Sequence, residues 1–223
     1  ISPALFIPLA ERFGLIGSLG DWIIHEACRQ MAEWAQAGTN MRVAINVSAH
    51  QLRDPRLVQK IETTLQQHGV SPSRLLCEIT ESVAMEDVET TQRTFEGLAK
   101  IGVFLSIDDF GTGFSSLSYL RKLPARQLKI DKSFVLDLET SRDARAVVDA
   151  VIRLAHALSL RVVAEGVETQ GQRDILLKMG CDELQGFLLA RPMAARDLQK
   201  WIDGERPTGA PDFTPSVIYS ELD

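Results

Sequence analysis

The stretch Val103-Phe104-Leu105-Ser106-Ile107-Asp108-Asp109 decides the fold, because a mostly apolar, β-prone run ends abruptly in two adjacent carboxylates. Runs of the same kind stand on either side of it. Arg42 to Val47 and Leu75 to Ile79 lie upstream; Gln127 to Ile130, Arg161 to Ala164 and Glu183 to Phe187 lie downstream.

Helical patterns separate these runs. Leu19, Trp22, Ile23, Ala27, Met31 and Trp34 recur at helical spacing before Gly38. Asp54-Pro55 predicts an N-cap with proline at the first helical position, with Leu57, Val58, Ile61 and Leu65 on one face and Gly69 as the stop. Val88, Phe95 and Leu98 predict another helix, and a short one is expected from Ser116 to Leu123. A long helix carries Val147, Val148, Val151, Ile152, Ala155 and Leu158; Gln172 to Met179 and Ala195 to Ile202 complete the set. Strands apolar on both faces and separated by helices predict an α/β fold, a parallel sheet covered by helices.

Composition bounds the rest. A chain of 223 residues with 45% hydrophobic and 24% charged residues can bury one large core, which excludes a disordered tail or a fibrous repeat. One domain is expected over residues 1–203, followed by a tail over 204–223 bearing Pro207, Gly209, Pro211 and Pro215, to which no catalytic role is assigned. Ile1 is not preceded by an initiator Met, which reads as a fragment of a longer protein. Cys28, Cys77 and Cys181 lack metal-site spacing and fit a reducing, cytoplasmic compartment. A net charge of −6 argues against a polynucleotide partner, and no apolar run is long enough for a membrane span. If the ligand carries phosphates, cations must supply the positive charge.

The strand ends point to function. Asn46, Glu78, Asp108 with Asp109, Lys129 with Asp131, Glu165 and Gln185 each stand where an apolar run leaves the core. A single glutamate there is usually just solvated, and Asn46 alone reads as a turn residue. Together they match the way barrel enzymes gather functional residues at the C-terminal ends of several strands. Adjacent carboxylates at Asp108 and Asp109 would repel unless a cation intervenes, and all-oxygen donors suit Mg²⁺ or Mn²⁺ over Zn²⁺. His25, His50, His68 and His156 lie off these ends and read as structural or solvated. Lys129, between Leu128 and Ile130, needs carboxylate partners or a cation-activated water. Asp109-Phe110-Gly111 spells the metal-binding triplet of protein kinases, but the other kinase motifs are missing. Gly111-Thr112-Gly113 with Ser115-Ser116 fits either a mobile turn or a plain capped loop. On spacing alone, an enolase-like barrel using Mg²⁺ and a lysine base on carboxylate substrates stays open.

Several segments then carry a resemblance: Phe6 to Glu11, Asn46 to Ala49, Glu78-Ile79-Thr80-Glu81-Ser82, Asp108 to Leu117, Lys129-Ile130-Asp131, Ala164 to Thr169, and Gln185-Gly186. In this order they resemble the bacterial EAL-type phosphodiesterase domains that hydrolyse cyclic di-GMP to linear pGpG. The resemblance covers residues 1 to about 202. It implies a modified TIM (β/α)₈ barrel with an antiparallel first strand, the first two strands and the name-giving Glu-Ala-Leu lying upstream of Ile1. It also implies two metal ions: Asn46, Glu78 and Asp108 on the first, with the upstream glutamate, and Asp108 and Asp109 on the second. Lys129 would orient the attacking water, Glu165 would hold a water or act as base, Glu81 would pin the 108–117 loop, and Gln185 would line the site. Asp131 and Phe187 are candidate substrate contacts. The resemblance further implies a homodimer and an upstream sensory or GGDEF-type domain, and leaves a catalytically silent cyclic di-GMP receptor as the rival reading.

Overall fold

A computed structural model describes residues 2–86, 88–111, 117–202 and 204. Helices α1 (Pro3–Arg12) and α2 (Ile16–Gln36) precede strand β1 (Val43–Asn46), and α3 (Ala49–Leu52) and α4 (Leu57–His68) lead to β2 (Leu75–Thr80). Next come α5 (Glu81–Glu86), α6 (Val88–Ile101), β3 (Phe104–Phe110), α7 (Leu117–Leu120), β4 (Gln127–Ile130) and α8 (Lys132–Leu136). The described part closes with α9 (Arg142–Ala157), β5 (Arg161–Ala164), α10 (Gln170–Lys178), β6 (Glu183–Leu184) and α11 (Ala195–Ile202). The tail expected over 204–223 lies outside the described residues apart from Gly204.

All six described strands pair in parallel and in chain order, β1 to β6, each joined to the next by a helix-bearing crossover. The sheet curls into part of a barrel. Its two edge strands approach closely enough for Arg42, just before β1, to reach Glu183 of β6 at 3.6 Å. Gln199 of α11 donates to the Thr39 hydroxyl at 3.1 Å on the same side.

Alternation along each strand sorts the side chains into two layers. Ile45, Leu75, Cys77, Ile79, Leu105, Ile107, Leu128, Ile130, Val162 and Ala164 face the helices and form one continuous core with them. Into this core α4 inserts Leu57, Ile61 and Leu65, α6 inserts Phe95 and Leu98, and α9 inserts Val148 and Ile152, all at most 1% exposed. Each such side chain contributes about 1.5–3 kcal/mol by leaving water. The strands are not apolar on both faces, however. The alternate positions carry Glu78, Ser106, Asp108, Gln127 and Lys129, every one of them buried. A curled sheet packs its concave face against itself, so residues there are buried without having to be apolar.

Three local expectations are corrected. Trp22 is 62% exposed, because the buried arc of α2 runs through Ile16, Gly20, Ile24, Ala27, Cys28, Met31 and Trp34. Asp54 does not cap α4: its Oδ1 accepts the Arg56 N–H at 3.0 Å, which leaves Pro55 in a turn and starts the helix at Leu57. Strand β6 ends at Leu184, short of the expected Phe187. Gly69 ends α4 in the left-handed conformation as the sequence predicts.

The three cysteines are free and buried, and burial pushes the Cys28 thiol up to about 11 and those of Cys77 and Cys181 up to about 12. Thiolate is the reactive form, and these groups hold it back until pH rises far above neutrality. At pH 8 an aromatic disulfide reagent should label none of the three thiols in the folded chain, then all three in guanidinium. Rapid labelling of folded protein would contradict the packing of α2, of β2 or of the turn before β6.

Candidate functional site

The site begins with a defect in β3. Ile107 pairs with Leu128, but the next pair is Phe110 with Ile130, so β3 carries one residue more than β4 between them. Asp109 takes up that residue in the left-handed conformation, φ 53°. Aspartate tolerates this region better than most side chains, at a cost of about 1–3 kcal/mol. In a regular strand Asp108 and Asp109 would point to opposite faces. The bulge instead brings carboxylate oxygens of Asp108, Asp109 and Glu165 within 4.8 Å of one another.

Lys129 of β4 stands at the centre. Its Nζ lies 2.6 Å from Glu165 Oε1, 3.0 Å from Glu78 Oε2 and 3.2 Å from Asp108 Oδ1, and its side chain is only 5% exposed. Four strands therefore converge: Glu78 on β2, Asp108 on β3, Lys129 on β4 and Glu165 immediately after β5. The Glu165 N–H donates to Ile130 O at 3.1 Å, so backbone pairing fixes where this carboxylate leaves the sheet.

Electrostatics follow from the count. Burial works against the charge of Lys129, but its bond to Glu165 and the carboxylates of Glu78 and Asp108 hold its pKa above that of an ordinary lysine. Burial raises the pKa of Glu78 and Glu165 despite Lys129, and burial together with Asp108 and Asp131 raises that of Asp109. A raised carboxyl pKa means that the stability it contributes is complete below the ordinary value near 4 and is lost as pH rises through the folded value. One ammonium thus leaves the Glu78, Asp108, Asp109 and Glu165 cluster with excess negative charge. The donor set is entirely oxygen, and it fits hard divalent cations.

The other expected residues take different positions. Asn46 is exposed and pairs in register with Glu78, which puts it beside that carboxylate at the sheet edge. Glu81, 1% exposed at the start of α5, accepts the Gly111 N–H through Oε2 at 2.7 Å and so holds the segment leaving β3. Residues 112–116 of that loop lie outside the described residues. Asp131 caps α8 by accepting the Ser133 N–H at 3.0 Å; burial opposes its ionisation, but the Ser133 bonds keep its pKa below the usual value. Gln185 is exposed beyond β6, its N–H donating to Ala164 O at 2.8 Å and its carbonyl accepting from Val167 at 3.0 Å.

Sequence reasoning did not single out the floor of this site, Ser106 and Gln127. They stand two residues before Asp108 and Lys129 on the same face, so the period of two was the available signal. It also passed over the spatial roles of Gly166 and Gly186. A Cβ on Gly166 (φ 68°) would meet Lys132 Cβ at 2.5 Å, and one on Gly186 would lie 2.3 Å from Val167 N and 2.2 Å from Val167 O. These two close approaches seat the loop that follows Glu165.

Comparison with known proteins settles the family. The model of the EAL domain matches residues 1–192. This chain belongs to the EAL domain family. It is 47% identical over 199 residues to the bifunctional diguanylate cyclase/cyclic di-GMP phosphodiesterase MucR of Pseudomonas aeruginosa, spanning 89% of this chain and 29% of MucR. It is 41% identical over 212 residues to the cyclic di-GMP phosphodiesterase NbdA of the same organism, spanning 95% of this chain and 27% of NbdA. Among solved structures, the PaMucR phosphodiesterase in complex with c-di-GMP superimposes with a TM-score of 0.86, covering 89% of this EAL domain and 81% of that chain. The family's modified TIM barrel is therefore the fold to which these six parallel strands belong. The chain spans well under half the length of these curated relatives, which contain further sequence.

Replacing Lys129 by Met would leave buried carboxylates without their counter-charge. Lys129→Met should lower the free energy of unfolding by about 3–5 kcal/mol, measured by urea titration at pH 7 in EDTA. A change within experimental error would show that the ammonium does not hold the strand ends together.

Proposed function

We propose that this EAL domain hydrolyses cyclic di-GMP to linear pGpG. The observation that carries the reading is Lys129, buried among Glu78, Asp108 and Glu165 with Asp109 beside them, in a chain 47% identical to a protein named a cyclic di-GMP phosphodiesterase. Asn46, Glu78, Asp108 and Asp109 are the residues that would hold two Mg²⁺ or Mn²⁺ ions, which their oxygen donors and surplus negative charge fit. When bound, such ions supply Lewis acidity, neutralising phosphate charge and lowering the pKa of water.

The chain's own groups divide the remaining work. Lys129 keeps its proton at neutral pH, so it acts as a charged donor that orients water and faces the charge growing on the phosphate, rather than as a base. Glu165, with its raised pKa, is the carboxylate suited to accept the proton released as water attacks phosphorus. In-line attack forms a bond from the water oxygen to phosphorus and breaks one ester bond, and the released ribose oxygen takes a proton from solvent as the ring opens. Glu81 positions the loop by its bond to Gly111 and has no place in the proton path. Gln185 and Asp131 stand at strand exits suited to line the substrate's approach. The full-length protein, on the same reading, is a cytoplasmic homodimer with a sensory or GGDEF-type domain, in line with the much greater length of its relatives.

The test is incubation of the parent domain with cyclic di-GMP and Mg²⁺ or Mn²⁺, with pGpG followed by chromatography. Cation-dependent pGpG is expected, with none in EDTA; tight binding without product would replace the hydrolase by a silent receptor. Asp108→Ala should reduce kcat by about 10²–10³-fold or more while changing substrate affinity far less. Near-normal turnover in that variant would remove Asp108 from the reacting centre.

A further inference from the structure

The opposite end of the sheet carries the opposite charge. Arg42 precedes β1, Arg126 precedes β4 and Arg161 opens β5, while Phe104 opens β3 and Glu183 opens β6. These five segments meet. The Phe104 ring has the Arg126 guanidinium 4.6 Å and the Arg42 guanidinium 5.8 Å from its centroid. A single oxygen, Glu183 Oε1, lies 3.4 Å from Arg161 and 3.6 Å from Arg42. The nearby Asp182 is committed elsewhere, to His156 Nε2 at 2.9 Å and to the Val162 N–H at 2.7 Å.

Three guanidiniums gather here, two of them on the single carboxylate of Glu183, in a chain whose net charge is −6. The Glu183 contacts are longer than charge-assisted hydrogen bonds of about 2.7–2.9 Å, so the planar donor forks keep unused capacity. Contact with the Phe104 face restricts two of these exposed side chains, Arg126 at 4.6 Å more than Arg42 at 5.8 Å, which lowers the entropy cost of engaging a ligand. Three arginines against Glu183 and Asp182 leave a local surplus of about one positive charge, and a phosphate offers an oxygen to each of the three planar forks where a carboxylate has only two. Arg126 precedes Lys129 by three residues, so this end lies roughly 10 Å along the strands from the acidic cluster.

We propose that the N-terminal end of the sheet is a second binding site, which takes the phosphate group of a small phosphorylated molecule between Arg42, Arg126 and Arg161. Inorganic phosphate, pyrophosphate and a nucleoside triphosphate share that chemistry and serve as the probes. Calorimetric titration of the full chain in EDTA, with acetate as control, is the test. One equivalent of a phosphate-bearing probe is expected to bind and acetate is not. Arg126→Gln and Arg161→Gln should each weaken binding at least about tenfold, Glu183→Gln should tighten it, and Asp108→Asn should leave it unchanged. Stronger binding of the triphosphate than of pyrophosphate would point to a nucleotide, and equal binding to the phosphate group alone; both support the site. No binding by any probe, binding that survives both arginine substitutions, or weaker binding in Glu183→Gln would overturn it. Glu183→Gln keeps the shape of the side chain, so its result stands even if an arginine variant fails to fold.

Discussion

One buried ammonium organises this molecule. Lys129 draws carboxylates from three other strand ends to within 3.2 Å, and each of those strands must enter its ladder in the register that allows it. Taking a charge of either sign out of water costs several kcal/mol, so neither the lysine nor its partners would be tolerated there alone. The cluster works against stability in one respect, because its negative charge exceeds its positive charge. It is tolerated because the apolar layer beneath, from Ile45 to Ala164, holds the strands together independently.

The concave and convex faces of the sheet follow different rules. On the convex face every second residue is apolar and meets a helix, and substitution there is a matter of volume. The concave face carries Leu76 and Val163 together with Glu78, Ser106, Asp108, Gln127 and Lys129, and the burial of these polar residues depends on the curl of the sheet rather than on hydrophobicity. Toward the C-terminal ends that face is acidic, and toward the N-terminal ends arginines collect around Phe104. Charge is thus sorted along the strand direction as well as across the sheet.

This division explains what was legible in the sequence. Short apolar runs gave all six strands, because helix-facing positions such as Leu105 and Ile107 have no substitute for hydrophobicity. The polar strand ends were equally visible, since a carboxylate after an apolar run is a conspicuous break. Helical spacing could not tell which arc of α2 faces the sheet, and Trp22 turned out on the wrong side. The pattern Asp54-Pro55 satisfies a cap and a turn equally well, and only the Arg56 N–H decided between them. Ser106 and Gln127 were marked only by the period of two from Asp108 and Lys129, and the arginine end was hidden for a deeper reason: its residues meet through curvature, which no local pattern encodes.

The extra residue in β3 makes that strand a matter of count. Deleting one residue between Ile107 and Phe110 would restore regular pairing and improve the ladder by every local criterion. It would keep Phe110 opposite Ile130 and on the helix side, but leave one carboxylate at the strand exit where the bulge presents two. Point substitutions in β3 can be graded by size and charge, but a single-residue gain or loss cannot. Descendants of this sequence can therefore vary in length within their loops far more freely than across these four positions.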